Sequence, residues 1–180
     1  MTKDIRHFST NHNTESVSFK EALMRGQAPD KGLYMPNRIP KISLDIINKM
    51  KEMPYHEIAF IITNQFLEEE IPENKLREIT REIYNFDIPL ELAEDRKYIM
   101  RLDQGPTASF KDFGAQMLAR LMSYYTKSEN KELIILTATS GDTGSAVANA
   151  FYNLDNIKMV VLFPEKEVSE LQRGYINTFV

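Results

Sequence analysis

Cysteine is missing from all 180 residues. Its absence removes disulfides, thiolate nucleophiles and Cys-based metal sites together, and it suits a reducing compartment, so the cytoplasm is the expected location. Basic clusters are missing too. With a net charge of -4 the chain carries no electrostatic footprint for nucleic acid or for an anionic membrane surface. No apolar run approaches a membrane span, and the opening "MTKDIRHFSTNHNTES" lacks the apolar stretch of a signal peptide. Internal repeats and low-complexity tracts are likewise absent. His7, His12 and His56 have no metal-ligand spacing and read as surface or packing residues. Neither Gly-x-Gly-x-x-Gly nor a P-loop lysine is present, and without a Gly-x-Ser-x-Gly elbow Ser140 is no hydrolase nucleophile. What remains is 42% hydrophobic, enough for a packed core, with a small molecule as the expected partner.

What is present falls into two halves. Up to about Glu94 the pattern is helical and acidic, with prolines marking short loops and no strand alternation standing out. "SFKEALMRG" predicts a helix in which Ser18 caps, Glu21 answers three residues later and Gly26 stops the turn. "PYHEIAFIITNQFL" starts on Pro54 and predicts burial of Ile58, Ile61, Ile62 and Phe66. "PENKLREITREIYNF" places Leu76, Ile79 and Ile83 on one face. Glu68, Glu69 and Glu70 read as a solvated edge. A small helical domain over 1–94 is expected, joined by the polar stretch "ELAEDRK" to a second domain over 95–180.

In that second half "KYIMRL", "ELIILTAT" and "IKMVVLFP" read as strands, and the helical patterns "SFKDFGAQMLARLMSYY" and "GSAVANAFY" lie between them. Such βαβαβ alternation predicts an α/β fold: a parallel sheet covered by helices, with ligands at the carboxyl ends of the strands. Two loops fall at those ends. In the first, Ser109 is expected to cap a helix with Asp112 as its third residue, which leaves Lys111 inside the first turn, where the helix dipole opposes a cation. That setting favours an uncharged amine able to attack a carbonyl; the plain alternative is a surface lysine that snorkels to solvent. Phe110, Phe113, Met117, Leu118 and Leu121 are expected to face the core, and Gly114 inside the second turn calls for a reason. The second loop, "TATSGDTGSAV", follows a strand and opens a helix. Its hydroxyls and glycines suit an anion held by backbone N–H groups, while Asp142 reads equally as an N-cap in a solvent turn.

"GPTASFKDFG" followed by "TATSGDTGSAVANAFY" resembles the cofactor-lysine segment and the substrate loop of threonine synthases, which are fold-type-II pyridoxal-phosphate enzymes. "STNHNTESVSFKEALMRGQAPDKGLYMP" is similar to the amino-terminal domain of that family, and "FPEKEVSELQ" continues the likeness, so the resemblance covers nearly the whole chain.

The resemblance implies that the second domain is the start of a fold-type-II pyridoxal 5'-phosphate domain, and that Lys111 forms the Schiff base with the cofactor and then carries protons. It implies a substrate site at Thr139, Ser140, Gly141, Asp142, Thr143 and Gly144, which receives the substrate α-carboxylate, with Asp142 also beside the cofactor. Many relatives have an asparagine where this chain has Asp142, and an ionised aspartate can only accept hydrogen bonds. Before Gly-Pro-Thr, Asp103 and Gln104 replace an aromatic–histidine pair. The implied reaction converts O-phospho-L-homoserine and water to L-threonine and phosphate. The alternatives are a related phospholyase acting on another phosphorylated amino alcohol, and a non-catalytic assembly module. Family members are longer and draw their cofactor-phosphate loop from sequence beyond Val180, so this piece is expected to be inactive alone and to self-associate through an incomplete sheet.

Overall fold

The computed structural model describes residues 5–139, 141–164 and 166–179. The chain divides into two compact units, Met1–Glu82 and Ile83–Val180.

In the first unit, β1 (His7–Ser9) pairs antiparallel with β2 (Tyr34–Pro36). Strands of three residues are too short for alternation to show in a sequence, which is why neither was expected. Helix α1 (Phe19–Arg25) has the capping box read from its residues: Ser18 Oγ accepts from Glu21 N at 3.2 Å, and Glu21 Oε2 accepts from Ser18 N at 3.3 Å. Gly26, at φ +72°, ends it. Helix α2 (Leu44–Lys49) starts at Ser43 and buries nothing. Helix α3 (Tyr55–Leu67) buries Phe60 and Leu67, not the expected isoleucine stripe, and Ile62 is exposed. The anchor that turns it is Arg77 of α4 (Glu73–Ile83), which bonds Glu57 and lays its guanidinium 3.8 Å from the centre of the Phe60 ring. Helix α4 buries Leu76, Ile79 and Ile83 as its spacing predicts. One member of the acidic run departs from a solvated edge: Glu70 accepts from the N–H of Phe19 at 2.9 Å, reaching the first turn of α1.

In the second unit the stretch expected as a linker is a hairpin. β3 (Leu90–Glu94) and β4 (Lys97–Met100) pair antiparallel, with an irregularity between Leu92 and Glu94 and Arg96 at φ +52° in the turn. β4 therefore joins β3 and not the parallel sheet, because closing so short a loop costs little entropy. The parallel sheet is formed by β5 (Leu133–Ala138) and β6 (Ile157–Leu162), in register from Leu133↔Ile157 to Ala138↔Leu162. Around it run α5 (Lys111–Ser128), α6 (Asp142–Phe151) and α7 (Glu170–Phe179).

The buried face of α5 matches the expected stripe only in part: Leu121 is buried, and Phe113 and Met117 are half-buried. Phe110 is 61% exposed and Leu118 38%, while Asp112, Ala115, Gln116, Ala119, Met122, Ser123 and Thr126 are buried. Small residues on this face let α6 approach closely, and α6 answers with Ala146 and Ala150, one turn apart and each fully buried. Polar bonds seal the seam: Gln116 donates to Asn149 at 2.7 Å, and Arg120 to the Ala150 carbonyl at 3.0 Å. One face of the β5–β6 sheet stays bare, with Ile134, Leu136, Val160 and Leu162 exposed.

Candidate functional site

The bonds between α5 and α6 fix where the two loops lie. Both helices run in the same sense, since Gln116 meets Asn149 and, further along, Ser123 meets Asn156 just past α6. Lys111 precedes Gln116 by ~7.5 Å and Asp142 precedes Asn149 by ~10 Å at the rise of an α-helix. Both N-termini thus open at the same end of the helix pair. That end adjoins the carboxyl ends of β5 and β6, where Ala138, Thr139, Leu162, Phe163 and Pro164 line a shallow hollow of ≈ 400 Å³. A larger hollow of ≈ 890 Å³ runs along α4 in the first unit, but its lining of Glu73, Arg77, Glu78, Arg81 and neighbours is a solvated charged face.

Lys111 is half-buried, and its Nζ lies 4.4 Å from the centre of the exposed Phe110 ring. Its backbone N–H donates to Ser109 Oγ at 3.3 Å. The helix begins one residue later than the capping pattern predicts, with Phe110 at the N-cap and no side-chain cap bond there. Asp112 does not pair with the Ser109 N–H. Its carboxylate turns back five residues, accepting the Thr107 N–H at 2.9 Å and the Thr107 hydroxyl at 2.6 Å. Gly105 packs directly on that carboxylate, since a Cβ there would sit 2.5 Å from Asp112 Oδ2. Ala108 between them is held at φ +54°.

At the mouth of α6 the N-cap is Gly141, so Asp142 is the first helical residue and not the cap. Thr139 organises this turn. Its hydroxyl accepts from Gly141 N at 3.1 Å and Gly144 N at 3.0 Å, and donates to the Gly141 carbonyl at 3.2 Å. Gly144 is buried so tightly against it that a Cβ would meet Thr139 Cγ2 at 2.1 Å. Asp142 and Thr143 are exposed, and helix geometry leaves their N–H groups without an intrahelical acceptor. Ser140 lies outside the described residues. Asp142 Oδ1 accepts from Gln172 Nε2 at 2.7 Å, and Gln172 in turn caps α7 through Ser169. Gln172 was legible only as half of the Ser169-x-x-Gln172 capping box. The Asp112–Thr107 bond has no such signature.

Ahead of the lysine loop, Asp103 is engaged. Arg101 grips it through Nε at 2.9 Å and Nη2 at 2.7 Å and reaches Glu91 of β3 at 2.6 Å. The Asp103 and Glu91 carboxylates push the guanidinium above its ordinary value, and Arg101, with help from Gln104, holds the Asp103 carboxyl well below the usual range.

An α/β chain with a lysine and a hydroxyl-glycine turn at one end of its helix pair has close structural counterparts. A PLP-bound threonine synthase from Brucella melitensis superposes with a TM-score of 0.91 at 33% identity, covering 96% of this chain and 38% of that one. The Escherichia coli threonine synthase structure gives a TM-score of 0.86 at 35% identity, covering 97% of this chain and 40% of that one. In sequence, the Haemophilus influenzae threonine synthase is 39% identical over 171 residues, 95% of this chain and 39% of that protein. The family profile described as "Threonine synthase N terminus" matches residues 6–84. The chain is similar to the amino-terminal portion of the threonine synthases. It spans about two-fifths of the length of the relatives it matches.

Proposed function

We propose that this chain carries the lysine and substrate-carboxylate half of a threonine synthase site, and that the whole protein converts O-phospho-L-homoserine and water to L-threonine and phosphate. The observation that supports the reading is that the mouth of α5, with Lys111, and the mouth of α6, with the hydroxyl-glycine turn, open at the same end of the helix pair. The residues present suit pyridoxal 5'-phosphate. Lys111 supplies the amine, and one turn along the same face Gly114 leaves open space, since a Cβ there would meet nothing within 4 Å. A flat ring can approach such a surface. When bound, the cofactor supplies the electron sink for proton loss next to the amino group.

The chain's own residues do the rest. Lys111 holds and moves the proton at Nζ. The N–H groups of Asp142 and Thr143, at the positive end of the α6 dipole, orient the substrate carboxylate. Thr139, bonded to Gly141 and Gly144, shapes the turn that receives the substrate. Gly141 and Gly144 keep the backbone close, and Gln172 fixes which oxygen of Asp142 faces outward.

The piece alone is inactive in this reading, and its bare β5–β6 face and apolar hairpin drive self-association. In the protein that contains the remaining three-fifths, Lys111→Ala should abolish cofactor absorbance that borohydride reduces, together with threonine formation. Unchanged cofactor content would reject Lys111 as the attachment point. Phosphohomoserine assayed against other phosphorylated amino alcohols separates threonine synthase from a related phospholyase.

A further inference from the structure

The most deeply buried acid of the second unit has no part in that chemistry. Asp112 is 0% exposed, adjacent in sequence to Lys111, and both its oxygens are spent on one residue, Thr107. The bond closes a ring of chain from Thr107 to Asp112 that contains Lys111. Inside the ring Asp112 N bonds the Ser109 carbonyl at 3.0 Å and Lys111 N bonds Ser109 Oγ, and at its entry Ala108 N bonds the Gly105 carbonyl at 3.1 Å. The ring also holds an alanine in the left-handed region, a conformation that an L-residue keeps only when its surroundings impose it. Gly105 seals the outside, because any side chain there would strike the carboxylate.

We infer that Asp112 is a positioning residue: clasped to Thr107, it fixes the backbone that presents Lys111 at the mouth of α5. A bond to a carboxylate is stronger than one between neutral groups, and a buried partner left unmade is costly, so the loop has one arrangement with the clasp closed and several without it. Thr107 is the specific partner, since it supplies both donors from one residue. The inference rests on the reading of Lys111 as a carbonyl-binding amine, and its test separates the two.

The 180-residue chain is treated with pyridoxal 5'-phosphate and borohydride, and the pyridoxyl adduct is quantified by peptide mass spectrometry at Lys111 relative to exposed Lys127 in the same molecules. With the clasp intact, Lys111 is the favoured site. Asp112→Asn and Thr107→Val should lower that ratio about tenfold, the equivalent of one charge-assisted hydrogen bond, and Thr107→Ser, which keeps both donors, should restore it to within about twofold. A Lys111 ratio unchanged in folded Asp112→Asn and Thr107→Val overturns the inference, as does a Thr107→Ser ratio as low as that of Thr107→Val. Amide exchange in the unaltered chain covers variants that fail to fold: Thr107 N–H is protected if the clasp exists, and rapid exchange there overturns it. If Lys111 shows no preference over Lys127 while Thr107 is protected, the amine's assignment fails and the clasp is only structural, which also ends its positioning role.

Discussion

His7 shows what burial does to one side chain. Its ring packs against Phe19 at 5.6 Å, and its Nδ1 is buried without a hydrogen-bond partner among the described residues. Burial lowers its pKa from 6.5; Glu70 opposes the shift and Arg6 adds to it. The folded state therefore resists protonation that the unfolded state accepts. The stability at stake is fully present above pH 6.5 and is lost as pH falls from there through the lower folded value. Melting temperature should decline between pH 7 and 5, and His7→Gln should flatten that decline; parallel curves would refute the assignment. Glu21 and Asp30 act in a different window. Bonds to Ser18 and Ser9 respectively hold them below the usual carboxylate range, so their contributions survive down to about pH 4 and then go. A second residue-level test is Gly144→Ala. The added methyl must displace Thr139 or move the helix start, so the variant should lose roughly 2 kcal/mol in denaturant unfolding, and an unaltered midpoint would show that the turn can yield.

Among the elements, the α5–α6 seam decides the placement of the site, and it was the part least legible in the sequence. Alternation of strand and helix patterns in the second half shows in the residues, because β5, α6 and β6 are each long enough to express their period. The capping box of α1 shows for the same reason: it is local. The rotation of α5 does not. Of the apolar stripe its sequence offers, Leu121 is buried, but Phe110 and Leu118 are exposed while alanines, Ser123 and Gln116 are buried, because close packing of small residues against α6 outweighs burial of Phe110. The fate of "KYIMRL" is likewise a matter of competition, in which the nearer partner β3 takes the strand. At the site, Lys111 and the turn after β5 could be located by motif, whereas the Asp112–Thr107 and Asp142–Gln172 bonds depend on backbone reversals that no spacing rule encodes. Ala119 lies on the seam with 0% exposure, so Ala119→Leu should force α5 and α6 apart and cost ~1–3 kcal/mol. Ala119→Gly, in contrast, should cost no more than about 1 kcal/mol, the helix-propensity term. Equal losses in the two unfolding titrations would place the seam elsewhere.

The second unit as a whole is short of cover. Leu90, Leu92, Tyr98, Ile99 and Met100 of the hairpin are exposed along with the bare β5–β6 face, and parallel strands are ordinarily buried on both sides. Sedimentation should reveal concentration-dependent association, and Leu136→Lys combined with Val160→Lys should reduce it. A strictly monomeric parent chain would refute the self-association proposed above. The same pair of strands has a consequence for how the chain reaches this state. Leu133 pairs with Ile157 and Ala138 with Leu162, so each rung of the ladder closes an equally short stretch of 24 residues with α6 inside it. That stretch must close before any rung forms, which makes parallel pairing slower than local helix formation. The ladder therefore waits for Leu162, and α6, whose contacts are local, is expected to form ahead of it.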